Sequence, residues 1–220
     1  MQCIKDTIKN INIVIGCNIG CSYCYARMNN NRFHTIDDFN KPVFFENKLK
    51  MLDNKRYTAY LLTGQSDLSG WNEEWKDKVF SKMKENENTQ YIFLTKRPEN
   101  INLKETPDNG WFGVTVTSSK EKTRIDYLRN NIKAKHYHIT FEPMFDDVGK
   151  LDLNNISWIV IGTETGNRKG KISSKREWVF NIYNQAKEKN IPVFMKEDLL
   201  GILNEDEFVQ EFPKEFGGTK

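Results

Sequence analysis

Ile11-Asn12-Ile13-Val14-Ile15-Gly16-Cys17-Asn18-Ile19-Gly20-Cys21-Ser22-Tyr23-Cys24-Tyr25 runs from an apolar segment into three cysteines spaced C-x-x-x-C-x-x-C. The apolar part reads as a short buried strand, and the glycines and polar residues after it as a tight loop. Three thiolates on one loop can each take one iron of a cubane cluster and leave the fourth iron without a protein ligand. A structural zinc site normally closes on four ligands in pairs, and no fourth Cys or His follows Cys24 at a finger-like distance. A disulfide needs an oxidising compartment, and the beginning of the chain, Met1-Gln2-Cys3-Ile4-Lys5-Asp6, has no apolar core of signal-peptide length. Cys3 stands apart and reads as a small hydrophobe at the base of the fold or as part of a fraying terminus.

The same pattern of an apolar run ending in polar residues recurs along the chain. Thr58-Ala59-Tyr60-Leu61-Leu62-Thr63 ends at Gly64, and Tyr91-Ile92-Phe93-Leu94 ends at Thr95-Lys96-Arg97-Pro98. Trp111 to Val116, Tyr137 to Phe141, Ser157 to Gly162 and Pro192 to Met195 read as further strands. Helical spacing appears at Phe45, Leu49 and Leu52, at Trp75, Val79, Phe80 and Met83, and at Ile125 and Leu128. It is clearest at Trp178, Ile182 and Ala186 between Lys175 and Lys189. Residues 26–39 read as a surface loop or short helix, and 204–220 as a final helix with a loose end.

Strands that are apolar throughout and separated by helices imply a parallel sheet with its outer face covered. The expected fold is α/β: a partial or complete (β/α) TIM-type barrel of mostly parallel strands, with its site on the rim where the strands end. An open doubly wound sheet is the alternative. With 220 residues and no visible linker or repeat, residues 1–220 read as a single barrel domain. The net charge of +3 does not by itself indicate a nucleic-acid partner. No apolar run approaches membrane-spanning length, so the expectation is a soluble cytoplasmic protein with no membrane partner.

The cysteine spacing, with an aromatic residue just before the third cysteine, resembles the signature of the radical S-adenosylmethionine (SAM) enzymes. Leu94-Thr95-Lys96-Arg97-Pro98, Trp111 to Val116, Phe141-Glu142-Pro143 and Trp158 to Gly166 are similar to a phage- and mobile-element-associated branch of that superfamily whose reaction is unassigned. A more distant similarity is to spore photoproduct lyase, a radical SAM enzyme of DNA repair. That enzyme's late catalytic cysteine has no counterpart here, because the cysteines end at Cys24.

The resemblance implies a [4Fe-4S] cluster on Cys17, Cys21 and Cys24 whose open iron chelates SAM. Reductive cleavage would then give a 5′-deoxyadenosyl radical, with an electron donor such as flavodoxin or ferredoxin. Carried over residue by residue, it places Lys96 near the SAM carboxylate and Thr115 near the amino-acid moiety, with Tyr23 against adenine. Gly64-Gln65-Ser66-Asp67 falls where the SAM amino group binds, with Gln65 departing from the usual Gly-Gly-Glu form.

Glu142 and Glu164 end strands expected to be neighbours and are the candidate catalytic residues. They could bind a polar or cationic substrate group or move protons, and they could equally pair with Arg97, Arg168 or Lys196. Arg97, Arg168, Lys169 and Lys196 are candidate phosphate binders for a nucleotide or nucleic-acid substrate. His34, His136 and His138 show no ligand-like spacing. The competing readings are a non-catalytic zinc- or iron–sulfur-binding module that binds nucleic acid, and a cluster that only transfers electrons.

Overall fold

The computed structural model describes residues 2–54 and 56–217. Seven parallel strands form one sheet: β1 (Ile8–Asn10), β4 (Ala59–Leu61), β5 (Gln90–Thr95), β6 (Gly110–Thr115), β7 (His136–Phe141), β8 (Ile156–Ile161) and β9 (Val193–Met195), adjacent in that order. A second, antiparallel ribbon pairs β2 (Val14–Ile15) with β3 (Val43–Phe44). Adding each new strand to the same edge makes the sheet curl, and the result is a partial TIM-type barrel.

Side chains alternate across each strand, so the two faces have separate cores. On the outer face, Phe93 stacks on Phe112 with ring centroids 5.0 Å apart, and Phe80 meets both rings edge-on. Phe80, Val79 and Met83 come from α3 (Glu73–Lys84), Ile125 and Leu128 from α4 (Thr123–Asn131), and Val179, Ile182 and Ala186 from α5 (Arg176–Glu188). These residues belong to one cluster with the outward side chains of β5 to β9. The connections after β5 and β7 carry no α-helix, so helices cover the sheet only in part.

Ile92, Trp111, Trp158, Val160 and Phe194 face inward. The base of the half-barrel is plugged by Phe216, 4.7 Å from the Trp111 ring and 5.3 Å from Trp158. Full burial of a phenylalanine is worth about 2–3 kcal/mol. Further up, Gly113 leaves room for the His138 ring on the adjacent strand: a Cβ at Gly113 would lie 2.4 Å from it. The free edge of β9 is covered by residues 209–211, through Met195 N to Val209 O and Glu211 N to Val193 O, each 2.8 Å. Gln2 N donates to Gln210 Oε1 at 2.7 Å, so both ends of the described chain help close the seam.

Several expectations change. Ile11 to Ile15 is not one strand: the chain leaves the main sheet after Asn10, and Val14 and Ile15 pair in the ribbon instead. Of the stripe Phe45, Leu49 and Leu52, the two leucines lie on a 3-10 helix, Glu46–Asp53, in which Leu52 is the buried residue, and Phe45 immediately precedes it. The tail forms 3-10 turns at Glu205–Glu207 and Lys214–Phe216 in place of a helix, and residues 218–220 lie outside the described residues. Cys3 is not held as a hydrophobe, since its thiol donates to Glu197 Oε1 at 3.1 Å. No helix among the described residues is long and apolar enough to cross a membrane.

Candidate active site at the rim of the half-barrel

The ribbon carries the cysteine loop to the end of the sheet where the parallel strands finish. Gly16 N donates to Gln65 O at 3.0 Å, tying the loop to the connection after β4. Gly16 has φ +114° and would set a Cβ 2.9 Å from Pro42 Cα, so a side chain is excluded there. Cys17 N donates to Phe39 O, and Cys17 O accepts from Arg27 Nη2 at 2.8 Å, with the guanidinium 5.0 Å above the Phe39 ring. Cys24 caps α2 (Tyr25–Phe33): its sulfur accepts from Arg27 N at 3.4 Å. Cys17 and Cys24 pack against a small satellite core of Ile15, Ala26, Ile36 and Phe39.

All three thiols are half-buried. Burial pushes the Cys17 pKa up to about 11, and the charges of Asp67, Cys21 and Cys24 add to the rise. Cys17 thus lies within electrostatic reach of both other thiols of the loop. Among the described residues, no three His, Cys, Asp or Glu side chains converge on a single metal ion.

Three of the expected cofactor residues meet beside this loop. Lys96 Nζ donates to Thr115 Oγ1 at 3.4 Å and lies 5.8 Å from the Tyr23 ring centroid. Tyr23 packs edge-on against Phe145 at 5.4 Å, and burial, with Cys21 second, raises its phenol pKa. Period-two alternation accounts for the meeting of Lys96 and Thr115, because both point to the concave side of adjacent strands.

The segment after β4 is built differently. Asp67 is buried and accepts from Ser69 N at 3.0 Å, Ser69 Oγ at 2.7 Å, Thr95 Oγ1 at 2.6 Å and Lys96 N at 2.8 Å. Its carboxylate thus straps the end of β4 to the end of β5 and sets the start of the Lys96 side chain. Ser66 Oγ accepts from Trp71 Nε1 at 3.0 Å, and Gln65 contributes its carbonyl to Gly16. Gly64 O accepts from the Tyr25 hydroxyl, and a Cβ at Gly64 would lie 3.0 Å from Asn12 Oδ1 and 3.1 Å from Asn10 Nδ2. Asn12 Oδ1 is buried and has no protein hydrogen-bond partner. It is an acceptor left over beside Gly64, and a buried acceptor without a donor is costly.

Glu142 and Glu164 are placed near one rim but engage different partners. Glu142 pairs with Lys196, whose ammonium also lies 3.3 Å from Asp198 Oδ2. Burial alone would lower the Lys196 pKa, but Glu142 and Asp198 outweigh it and hold it above the usual lysine range. Burial raises the Asp198 carboxyl, with Glu142 adding. Gly162 admits this cluster: a Cβ there would come within 3.2 Å of Glu142 and Asp198. Glu164 is buried and forms a two-pronged pair with Arg168, its Oε2 also accepting from Ile172 N at 3.3 Å. That bond network lowers its pKa, Arg168 being the main cause, and folds the loop after β8 back on itself.

His136 stacks on Trp111 at the base, 4.3 Å between centroids. His138 Nε2 lies 3.0 Å from Phe93 O in the interior, and burial lowers its pKa to about 4. His34 ends α2 with φ +50° on the exposed side.

Sequence reasoning missed Tyr25, Asn12 and Asp198. Asp198 was findable, since it sits two residues after Lys196. The Tyr25 hydroxyl donates to Gly64 O, and its phenol is raised by burial first and then by Cys24 and Glu142, with Lys196 opposing.

A curled parallel half-barrel with a thiol loop and a polar rim defines an α/β barrel protein with its candidate site at the strand ends. The chain belongs to the family described as "Protein of unknown function (DUF5131)", whose sequence profile matches residues 2–218. A 98-residue part is 35% identical to Lipase 1 of Staphylococcus aureus, in strains Mu50 and N315 among others, covering 44% of this chain. The match spans 14% of the lipase. No solved structure matches. Ser66 lies in Gly64-Gln65-Ser66-Asp67-Leu68, with Leu68 where the nucleophile elbow of a serine hydrolase carries glycine.

Proposed function

We propose that this chain is a radical SAM enzyme: Cys17, Cys21 and Cys24 would hold three irons of a [4Fe-4S] cluster, and SAM would bind between that loop and the strand ends. The observation that carries the reading is the placement of three thiols on one loop beside Lys96, Thr115, Tyr23 and the unpartnered Asn12 Oδ1. The donor set fits the group. Ligands of one zinc ion, with Zn–S bonds of about 2.3 Å, must crowd to roughly 3.8 Å from one another. Thiolates on separate irons of a cubane need not do so, and three cysteines on one loop are the donor type such a cluster takes.

Bound there, the cluster would supply the electron that reductively cleaves the SAM sulfonium. The protein's own part is binding and orientation. Lys96 offers its ammonium to the SAM carboxylate, a charge-assisted contact about twice as strong as a neutral one. Asn12 Oδ1 and the carbonyls around Gly64 offer acceptors to the amino group. Tyr23, braced by Phe145, offers an apolar face to adenine. Asp67 acts through others by fixing Lys96 and the Ser66 turn.

Glu142, held by Lys196, is available to orient a substrate group or relay a proton. Glu164 shapes the wall by ordering the loop that holds Arg168. This reading keeps the likeness to the phage-associated radical SAM branch, with a cytoplasmic setting and an electron donor such as flavodoxin or ferredoxin.

The test is anaerobic reconstitution with iron and sulfide. About four irons per chain and 5′-deoxyadenosine on adding dithionite and SAM are expected. One tightly held zinc with no SAM binding would establish the non-catalytic module instead, and a reducible cluster indifferent to SAM would establish simple electron transfer.

A further inference from the structure

Three of the four carboxylates described at the strand ends have both oxygens in use. Asp67 accepts through Oδ1 from Ser69 and Thr95 and through Oδ2 from Lys96 N. Glu164 gives Oε1 to Arg168 and Oε2 to Arg168 and Ile172 N. Asp198 Oδ1 accepts from Thr163 N at 3.1 Å, and its Oδ2 faces Lys196 Nζ at 3.3 Å. Glu142 differs. Its Oε1 is held by Lys196, and its Oε2 has no hydrogen-bond partner among the described residues.

The backbone fixes where that oxygen lies. Phe141, Ile161 and Met195 are register partners across β7, β8 and β9. The ladder continues one residue further, through Gly162 N to Phe141 O at 3.0 Å and Lys196 N to Ile161 O at 2.9 Å. Glu142, Gly162 and Lys196 therefore stand abreast. The outer two come from strands whose backbones are about 9.5 Å apart, and their side chains meet over Gly162, where a Cβ would lie 3.2 Å from Glu142 Cγ and Cδ and from Asp198 Oδ1. Thr115, Thr140, Val160 and Phe194 are successive register partners, and Glu142 and Lys196 lie two residues beyond Thr140 and Phe194, on the same face by alternation. The open oxygen thus belongs to the same mouth as Lys96 and Thr115, one pleat repeat, about 7 Å, further out.

Charge decides what that oxygen takes. Two carboxylates around one ammonium sum to −1, and neither Glu142 nor Asp198 forms another ion pair among the described residues. Solvent reaches the group only in part, with Glu142 28% and Asp198 12% exposed. A half-buried excess of negative charge favours a cation and repels an anion. With both carboxylates on its ammonium, Lys196 offers little to a phosphate.

We propose that Glu142 determines specificity at this mouth, its Oε2 accepting from a protonated amine of the substrate while Lys196 holds the carboxylate in place. The inference rests on the proposed radical SAM reading for assigning the amine to a substrate. Binding of the amine itself requires neither the cluster nor SAM.

The experiment is saturation-transfer NMR of n-butylammonium, n-butanol and n-butyl phosphate with the purified full chain at pH 7, at constant ionic strength and without SAM. Butylammonium should bind about tenfold or more tighter than either of the others. Glu142→Gln keeps the shape and removes the charge, and should weaken butylammonium about tenfold while leaving butanol as it was. Glu188→Gln, exposed on α5, should change neither. Equal affinities for the three probes, or tighter binding of the phosphate, would overturn the proposal in the parent protein alone, whatever the stability of the variants. Parent affinity for butylammonium in folded Glu142→Gln, or an equal loss in Glu188→Gln, would also overturn it. So would SAM binding weakened by Glu142→Gln as much as butylammonium binding, since the amine would then be SAM's own. Amine binding retained by a protein that does not cleave SAM would instead count against the enzymatic reading alone.

Discussion

Lys196→Met would remove the ammonium that stands between Glu142 and Asp198. Both carboxylates reach Lys196 Nζ, so without it two like charges face each other at no more than about 6 Å, a repulsion of about 3 kcal/mol at an effective dielectric of 20. Lys196 is 19% exposed and Glu142 28%, which allows some relaxation. The expected loss at pH 7 is therefore about 2–3 kcal/mol, or roughly 5–10 °C in Tm for a chain of this size.

The sign of the pH dependence is diagnostic. In the parent protein Lys196 has a raised pKa, so its stabilisation is complete below the unfolded value near 10.5 and lost as pH rises through the folded value. In Lys196→Met protonating one of the two facing carboxylates relieves the repulsion, so stability returns as pH falls from 7 towards 5. Urea denaturation of both proteins at pH 5, 6, 7 and 8 measures this. Equal stability of parent and variant at pH 7, or a deficit that does not shrink on acidification, would refute the ionic cluster as described.

Three further outcomes follow from the geometry. Asp67→Ala leaves four donors at the ends of β4 and β5 without their acceptor and should cost about 3–5 kcal/mol in urea unfolding, against about 1 kcal/mol for Ser66→Ala. Gly113→Ala drives a methyl into the His138 ring and should cost about 2–3 kcal/mol, with part regained in the G113A/H138A double variant because the two sites are in contact. On the proposed radical SAM reading, Lys96→Met should weaken SAM binding about 10- to 100-fold by calorimetry while changing Tm little, since its ammonium makes one long contact to Thr115.

The strands of the sheet were legible because each is a short apolar run ending in polar residues, and Gln90–Thr95, Gly110–Thr115 and His136–Phe141 lie within two residues of where those runs are read. The early segment was not. Ile11 to Ile15 is equally apolar whether it pairs in the main sheet or in a separate ribbon, and periodicity carries no information about the partner strand. The tail also differs from the helix expected there: Phe212 lies outside any helix and Phe216 in the Lys214–Phe216 turn, and both pack at the base.

At the rim, alternation along the strands brings Lys96 to Thr115 and Glu142 to Lys196; the sequence reached the first two through the family resemblance and offered Lys196 as one of three partners for the strand-end glutamates. What sequence could not decide was the partner of each charge. Glu164 turns to Arg168, four residues on, because the loop after β8 folds back, and loop conformation leaves no periodic trace.

The central claim is a metal centre with one position left for SAM, and electron paramagnetic resonance of the reduced, reconstituted protein measures that most directly. The account predicts a signal of a reduced four-iron cluster that shifts when SAM is added. That signal should be absent from Cys17→Ala, Cys21→Ala and Cys24→Ala proteins that still fold. A cluster signal unchanged by saturating SAM, or a centre that persists when any one of the three cysteines is replaced, would contradict it.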